Sequence, residues 1–421
     1  MRNVVLITFD SLRADHCSFL GYGRKTTPTL DRMAKDGLFF ENAIASGVPT
    51  APSMMGVFTG EYALAAGDDL TGEHWRRDMS TRRTLAQVLS EKGYATGAFH
   101  ANPFVSDHFG FNKGFINFQD RIKEDFKRKA SSRSQLILRH IEKIVKKEVT
   151  CLPWEKLYEP IVDWVRKSEK PYFLWVLLLD THTPYLPPKK NLKWSRKGFI
   201  HLLYWNWKME RQGWKIEGKG KEHIINAYDD AIFYADNFVM KLWDDLIDDD
   251  PIFIVHADHG DGFGEHGFYQ HAPPLMLYEE LIHVPLIIYN ADVKERIKKP
   301  VSLLGLSPTI LDLVRNGWGG EEFRHKNLLD CTEKWVISTG TSNNIKKVAV
   351  RGDEWKFILG QKDMGELYNL KADPMEQKNL IEEECGYAKD LKEIAIYHIK
   401  REEEIRKTRM RISKLKVSKK I

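Results

Sequence analysis

Few cysteines and no long apolar run occur in this sequence, and both absences narrow the class of protein. The four cysteines show no CxxC spacing and are too few for a dense disulfide framework, which fits a reducing compartment. The longest apolar run, residues 172–179, has eight residues, against about 18 for a membrane span. The apolar stretch Val4–Phe9 meets Asp10 at once and lacks the longer core of an export signal. We therefore predict a soluble, cytoplasmic protein.

Positive charge is concentrated in two stretches. The formal net charge is +5, but residues 121–147 and 400–421 each carry about +7, so the rest of the chain is acidic. This distribution excludes a uniformly basic protein that binds nucleic acid. The two runs are either solvated helical faces with a frayed tail or docking surfaces. On an anionic membrane each basic side chain near the surface contributes about 1 kcal/mol, so the tail predicts peripheral membrane contact.

Three short apolar segments have the continuous hydrophobicity of buried parallel strands. They are Val4–Phe9, 172–179 and 252–255. Each is followed at once by polar residues, and ligands of open α/β sheets bind at the carboxyl ends of the strands. A fourth run, 284–289, is expected to return to the same sheet. We predict an α/β fold with a mostly parallel central sheet flanked by helices, which include 28–37, 84–92 and 224–248.

The length of 421 residues predicts one large domain and a smaller unit. We assign 1–325 to an α/β catalytic domain with insertions at about 121–150 and 186–222. Residues 326–400, with hairpin-like texture, form a small unit with an antiparallel sheet, and 401–421 form a basic tail. The second insertion is rich in aromatic and basic residues. It either packs against the body or forms a lid or acceptor site for a sugar or lipid.

A metal site is predicted where two of these strands end. Asp258 and His259 are adjacent in the segment HADHGDGFGEHG, and its glycines allow tight turns. A carboxylate and an imidazole together suit a divalent cation. Asp10 supplies a second carboxylate from the first strand. Mn, Zn, Mg and Ca all fit in part, with one ion or two.

Thr50 is the candidate nucleophile. Pro52 marks the start of a helix, so Thr50 lies just ahead of a helix N-terminus, where an anion is favoured. Coordination to a cation lowers the pKa of water from about 15.7 to about 7, and a coordinated alcohol is activated in the same way. Thr50 is thus also a candidate metal ligand. The alternative is that Thr50 only caps the helix.

Two histidines complete the predicted site. His182 follows a buried strand in a proline-rich loop, and His271 follows His259 by twelve residues. Either ring is suited to protonate a leaving oxygen or to neutralise charge on a transferring group. His100, His256 and His266 are weaker candidates, as ligands of a second metal.

These segments together resemble the sulfatase branch of the alkaline phosphatase superfamily. The resemblance begins with VVLITFDSLRADHCSFLGYGRKTTPTLDRMAKDGLFFENAIA and PTAPSMMGVFTG. It continues through FGFNKGF, DTHTPYLPP, HADHGDGFGEHGFYQH and LYEELIHVPLIIY to GELYNLKADPMEQKNL. It implies metal ligation by Asp10, Asp258 and His259, with Thr50 at the nucleophile position. It also implies that His182 and His271 contact the transferring group.

The sequence departs from classical sulfatases at two places. Those enzymes convert a Cys or Ser in a Cys-x-Pro-Ser-Arg pattern to formylglycine, whereas this chain has Thr50 there and Met54 in place of the arginine. They also carry two adjacent aspartates where this chain has Asp10-Ser11. These changes, and His271 where a lysine is usual, resemble the relatives that use threonine directly: phosphodiesterases, phosphatases and phosphoethanolamine transferases.

We therefore predict a metal-dependent hydrolase of phosphate or sulfate esters, with phosphate mono- or diesters favoured and a covalent intermediate on Thr50. The substrate is a small-molecule, glycan or lipid ester. One alternative is a transferase that passes the phospho group to a glycan or lipid acceptor. The others are a sulfatase of the arylsulfatase type and a binding module that has lost turnover.

Overall fold

A nine-stranded, mostly parallel sheet forms the centre of the molecule in the computed structural model. The structure describes residues 1–63, 73–121, 152–195, 204–206, 208, 216–271, 276–314, 322–330, 332–342, 345–360 and 364–418. The strands of the central sheet are β1 Val4–Phe9, β2 Leu38–Ile44, β4 Ala95–His100, β5 Asn117–Asp120, β6 Tyr172–Leu178, β7 Ile252–Ala257, β8 His283–Tyr289, β9 Glu295–Ile297 and β10 Val301–Ser302. The two strands β3, Gly47–Val48, and β11, Val336–Ser342, belong to a second sheet described below.

Strand order in the central sheet is β10-β2-β8-β7-β1-β6-β4-β5, with β9 beside β2. The strands from β7 to β5 run parallel, and β8 is antiparallel to both of its neighbours. Every residue of β1, β6 and β7 is buried. Continuous burial on both faces is what their unbroken apolar sequences require.

Helices cover this sheet in two groups. The helices are α1 Pro28–Asp36, α2 Thr50–Thr59, α3 Glu73–Ser80, α4 Leu85–Glu91, α5 Glu155–Lys167, α6 Lys219–Leu246, α7 Glu279–Ile282 and α8 Leu306–Leu313. Helix α6 packs against α1 and α5, and α2 packs against α3, α4 and α8. Thr84 caps α4 with a reciprocal bond to Gln87, the capping box that fixes a helix start.

The predicted α/β class and its main elements are confirmed. The strand predicted at 172–179 ends at Leu178, the one at 252–255 continues to Ala257, and the one at 284–289 begins at His283. The helices predicted at 28–37, 84–92 and 224–248 are α1, α4 and α6. Helix α6 begins five residues earlier than predicted, at Lys219.

A second, five-stranded sheet lies toward the C-terminus. Its antiparallel strands β11, β12 Ile345–Arg351, β13 Trp355–Leu359 and β14 Gly365–Asn369 confirm the predicted small antiparallel unit. The fifth strand, β3, comes from the other end of the chain and pairs in parallel with β11. The domain borders at 325 and 400 stay a prediction.

The last helix, α9, runs from Cys385 to Ser418 and packs against β12, β13 and β14. It extends into the predicted basic tail as far as Ser418. Contacts along its length stabilise it, since His398 packs edge-on against Tyr62 and Arg409 pairs with Glu61. Among the described residues, none of the helices combines the length and apolar composition that crossing a membrane requires.

Two further predictions fall partly outside the described residues. Nearly all of the insertion at 121–150 does, and so do 196–203, 207 and 209–215 of the insertion at 186–222. Of the cysteines, Cys17 and Cys385 are free thiols, the first buried and the second exposed.

Candidate active site

The register of the central strands brings two carboxylates together at one edge of the sheet. Phe9 at the end of β1 is paired with Ala257 at the end of β7, so Asp10 and Asp258 follow side by side. The amide of Asp258 donates to the carbonyl of Phe9 at 3.3 Å, and the amide of Asp10 donates to Leu178 at 3.0 Å. Both side chains therefore leave a rigid backbone.

Asp10, Asp258 and His259 form a compact group of fully buried side chains. One ligand atom from each lies within 4.8 Å of the others. The Asp258 Oδ1 atom accepts from the amides of Ser11 at 3.0 Å and His259 at 2.8 Å, whereas Oδ2 is buried without a hydrogen-bond partner. Burial raises the pKa of Asp258 to about 6 and also raises the pKa of Asp10, with the neighbouring carboxylate of Asp258 adding to the effect.

The orientation of His259 completes a ligand set. Its Nδ1 lies 2.8 Å from the carbonyl of Gly260 and must donate to it, because a carbonyl only accepts. Nε2 therefore carries the lone pair, 3.5 Å from Asp258 Oδ2. Burial lowers the pKa of His259 to about 3, so the ring is neutral, as a metal ligand must be. Two carboxylates, a neutral imidazole and a buried oxygen without a partner fit a divalent cation.

Thr50 is the first residue of α2, two positions earlier than the proline-based prediction of the helix start. Its Oγ1 lies 3.3 Å from His259 Nε2, so the hydroxyl adjoins the Asp10–Asp258–His259 group. Ser53, one turn further on, donates to the carbonyl of Asp258 at 2.6 Å and ties the helix to the metal-ligand segment. The first amides of a helix have no partner within it, so this end of α2 also favours an anion.

His182 and His271 face the same place from two loops. Their ring centroids are 5.1 Å apart, and the His271 centroid is 4.4 Å from that of His259. The His182 Nδ1 atom donates to the carbonyl of Thr183 at 2.6 Å, and the His271 Nδ1 atom lies 3.2 Å from Asp261 Oδ1. In all three histidines Nδ1 therefore lies beside a carbonyl or carboxylate oxygen.

Sequence reasoning missed three residues that support these side chains. Ser11 donates its hydroxyl to Asp10 Oδ1 at 2.9 Å, and Asn102 donates its amide to Asp10 Oδ2 at 2.5 Å. Asp261 binds His271. Ser11 has a φ of 65°, a left-handed conformation that is uncommon for a residue with a side chain and aims its amide at Asp258. The polar residues directly after β1 and β4 were the available signal for Ser11 and Asn102.

The three weaker histidine candidates have other surroundings. His256 lies inside β7, where Nδ1 donates to its neighbour's carbonyl and Nε2 accepts from Thr8 at 2.9 Å. His266 stacks on Tyr278 at 3.6 Å and binds Glu280 at 2.7 Å. His100 is fully buried near Trp175. Among the described residues, the group of Asp10, Asp258 and His259 is the one arrangement of three or more such ligands, so a second metal site at these histidines gains no support.

Comparisons with known proteins bear on the family of this chain. A family model described as Sulfatase matches residues 2–316. An arylsulfatase from Clostridium perfringens is 25% identical over 462 aligned positions, which cover 91% of this chain and 90% of the relative. A Kdo(2)-lipid A phosphoethanolamine 7''-transferase from Salmonella typhimurium is 22% identical over 69% of this chain and 44% of its own length.

The fold is also found in a solved structure. The phosphonate monoester hydrolase of Agrobacterium radiobacter has a TM-score of 0.71 with this chain at 17% identity, and the match covers 95% of each. With a family model that spans most of the sequence, the chain belongs to the sulfatase family and is an enzyme of the alkaline phosphatase superfamily.

Proposed function

We propose that the protein is a metal-dependent hydrolase of phosphate esters that uses unmodified Thr50 as its nucleophile. One observation carries the proposal: the Thr50 hydroxyl lies 3.3 Å from His259 Nε2, at the edge of a buried Asp–Asp–His group. Capping α2 would not by itself require the Thr50 hydroxyl to lie beside that group. Thr50 also makes no side-chain capping bond, since the residue ahead of the helix is Pro49.

The metal would be held by Asp10, Asp258 and His259, with Thr50 beside them. When bound, a divalent cation supplies positive charge for the transferring group and lowers the pKa of an adjacent alcohol. The carboxylates stay in place because Ser11 and Asn102 fix both oxygens of Asp10. Mn, Zn, Mg and Ca remain the candidate ions.

The reaction proceeds in two steps at phosphorus. The Thr50 hydroxyl gives up its proton to water, and its oxygen forms a bond to phosphorus as the bond to the leaving alcohol breaks. The first amides of α2 stabilise the negative charge. His182 and His271, with ring centroids 5.1 Å apart, give a proton to the leaving oxygen or stabilise charge. Water then attacks the phosphothreonine, which returns the hydroxyl to Thr50 and releases phosphate. The carbon that bears the Thr50 oxygen carries no second hydroxyl that could expel the phosphate. A water molecule must therefore cleave this ester.

Phosphate is favoured over sulfate for two reasons. Thr50 stands where a formylglycine sulfatase carries its convertible Cys or Ser. Met54, which replaces the arginine of that pattern, is fully buried, so the position contributes packing and no charge. Because an arylsulfatase is among the relatives, a sulfate ester stays the alternative substrate.

Turnover of matched 4-nitrophenyl phosphate, phosphodiester and sulfate esters by the metal-loaded enzyme tests the proposal. We expect the phosphate esters to react faster than the sulfate. Thr50→Ala should lose at least about 10³-fold in kcat/KM, because several kcal/mol of transition-state stabilisation are removed. Thr50→Ser, which keeps the hydroxyl, is the control and should keep most of the activity.

Acid-quenched enzyme should carry one phosphate on the peptide that contains Thr50, detected by mass spectrometry. Full activity in Thr50→Ala would rule out Thr50 as the nucleophile. If unmodified Thr50 turned over a sulfate ester faster than the phosphate esters, the proposed substrate would become a sulfate ester and the covalent step would stand.

A transferase is the second candidate, favoured by the lipid A phosphoethanolamine transferase among the relatives. The aromatic and cationic residues of 186–222 suit a sugar or lipid acceptor. Lys193 of this insertion lies over the ring of Phe233 in α6, 3.1 Å from its centroid, so this part of the insertion packs against the body. Product analysis with and without added glycerol or a sugar alcohol separates the two activities. A phosphorylated alcohol in preference to free phosphate would favour transfer. Cytoplasmic location and membrane contact through 401–421 stay predictions.

A further inference from the structure

A chain of buried hydrogen bonds leads from the second insertion to His271. Its role in catalysis, as inferred below, rests on the function proposed above. It passes through Asn206, Tyr185 and Asp261. These three residues carry none of the roles derived so far for metal binding or for attack. Their burial and their contacts nevertheless converge on one of the two histidines that face the reacting group.

Tyr185 is held at both its backbone and its ring. Asn206 accepts from the amide of Tyr185 at 2.8 Å and donates to its carbonyl at 3.3 Å, so one side chain satisfies both backbone groups. The ring is fully buried, with Tyr228 at 5.0 Å and Phe263 at 6.2 Å between centroids. Its hydroxyl therefore has a fixed position, and it donates to Asp261 Oδ2.

Asp261 divides its two oxygens between two partners. Oδ2 accepts from Tyr185, and Oδ1 lies 3.2 Å from His271 Nδ1. The backbone carbonyl of Asp261 accepts from Arg13 Nη1 at 3.0 Å, which fixes the main chain as well. Both carboxylate oxygens of Asp261 therefore serve as hydrogen-bond acceptors.

We propose that Asp261 and Tyr185 are positioning residues that fix the ring of His271, with Nδ1–H bound to Asp261 and Nε2 presented to the leaving oxygen. A carboxylate cannot donate, so Nδ1 must carry a proton in every state of the ring. The tyrosine prevents Asp261 from rotating away, since it occupies the other oxygen. Without the pair, His271 can turn about its side-chain bonds and present the wrong nitrogen.

Leaving-group dependence tests the assignment. A proton at the leaving oxygen matters for an alkyl alcohol, which leaves poorly, and hardly matters for 4-nitrophenolate. With an alkyl phosphate ester, His271→Ala should lose about 10²- to 10⁴-fold in kcat. Asp261→Asn and Tyr185→Phe should lose about 10- to 100-fold, the range for removing a partner that orients a functional side chain. With the 4-nitrophenyl ester the loss in kcat should be at least about tenfold smaller for each of the three variants, because this leaving group needs little proton donation.

Tyr269→Phe is the matched control. This tyrosine lies on the same loop, and its hydroxyl bonds the backbone of Ile216 instead of Asp261. It should match the wild type on both esters. The double variant Asp261→Asn/His271→Ala should be no slower than His271→Ala alone, because the two residues act as one unit.

The outcomes separate this inference from the proposed function. If His271→Ala reacts normally with every ester, the role of His271 is wrong and the inference falls with it, while Thr50 is unaffected. If His271→Ala is slow and both positioning variants match the wild type, the inference alone is overturned. Equal losses on both esters would show that the pair only holds the fold, and would overturn it too.

A measurement on the unaltered protein covers the case in which a variant fails to fold. Long-range ¹⁵N–¹H correlation spectra of the metal-loaded enzyme should assign the His271 proton to Nδ1. A neutral ring that is protonated at Nε2 would contradict the proposal.

Discussion

Two clusters of buried charge in this molecule are built in opposite ways. At the edge of the central sheet, Asp10 and Asp258 lie together, and among the described groups no Lys or Arg makes an ion pair with either. Near the small sheet, the fully buried Lys356 lies 3.0 Å from Glu279 and 2.9 Å from Glu376. Arg351 adds a second cation, 3.3 Å from Glu279.

The pKa shifts of Asp258 and Glu279 follow this difference, whereas burial raises the pKa of Glu376 to about 7 in spite of Lys356. Burial raises the pKa of Asp258 to about 6, whereas Lys356 and Arg351 overcome burial at Glu279 and hold its pKa well below the ordinary value. The second cluster is therefore complete within the chain. The first has, within the part of the chain that the structure describes, no Lys or Arg to balance its negative charges, as the proposed metal site requires.

The largest effect is expected at the incomplete cluster. Asp258→Asn removes one negative ligand but keeps its size, so turnover of the phosphate ester should fall by at least about 10³-fold. The metal-free variant should be at least as stable as the wild type, since a desolvated carboxyl group is removed. Steady-state kinetics and thermal unfolding with a chelator measure both. A variant that unfolds without metal would mean that Asp258 serves the fold.

At the complete cluster, the expected effect is on stability. Lys356→Met leaves Glu279 and Glu376 buried without their shared cation, which should reduce the free energy of unfolding by about 3 kcal/mol. Urea unfolding measures this value. Lys371→Met, at a lysine that is 60% exposed beside Asp353, is the control and should change it by less than about 1 kcal/mol. An equal effect in both would remove the distinction between the clusters.

Metal addition should stabilise the protein through the first cluster alone. At a free concentration 100 times Kd, a bound ion adds about 2.7 kcal/mol to the free energy of unfolding. Thermal unfolding across a titration with Mn, Zn, Mg and Ca should show the increase in wild type and in Lys371→Met. Asp258→Asn should show none, and a full response in that variant would place the ion elsewhere.

His100 represents a third arrangement, an ionisable ring with neither a metal nor an ion pair. Burial lowers its pKa to about 3, with a smaller opposing effect from the Asn102 backbone. The unfolded chain therefore takes up a proton below pH 6.5 that the folded chain refuses until about pH 3. Stability is lost as pH falls through this window, by about 2 kcal/mol between pH 6.5 and pH 5.

His100→Phe should abolish this part of the acid sensitivity and keep the stability at pH 7. Urea unfolding of both proteins at the two pH values measures the difference between them. An unchanged pH slope in the variant would show that His100 is solvated or paired in solution.

The sequence was sufficient to predict the site residues that directly follow the central strands. Asp10, Asp258 and His259 follow continuous apolar runs, and the carboxyl ends of parallel strands share one edge, so their meeting was predictable. Thr50 was identified by its place near a helix start. His182 and His271 were candidates from their positions, after a buried strand and twelve residues past His259, and the resemblance added contact with the transferring group.

The residues that hold His271 in place could not be predicted from the sequence. Asn206, Tyr185 and Asp261 are separated by 21 and 76 positions, and each alone is an ordinary polar residue. Their relation depends on how two loops cross over the sheet edge. The same holds for β3, whose two residues pair with a strand nearly 300 positions away and have no strand pattern of their own.

That short strand has a consequence for how the molecule can be divided. Gly47 and Val48 pair with Thr339 and Gly340, and the chain reaches Thr50 only two residues later. The family model ends at residue 316, before β11 begins. A protein shortened to that point would keep every proposed metal ligand and yet expose the backbone edge of β3, two residues before the proposed nucleophile Thr50.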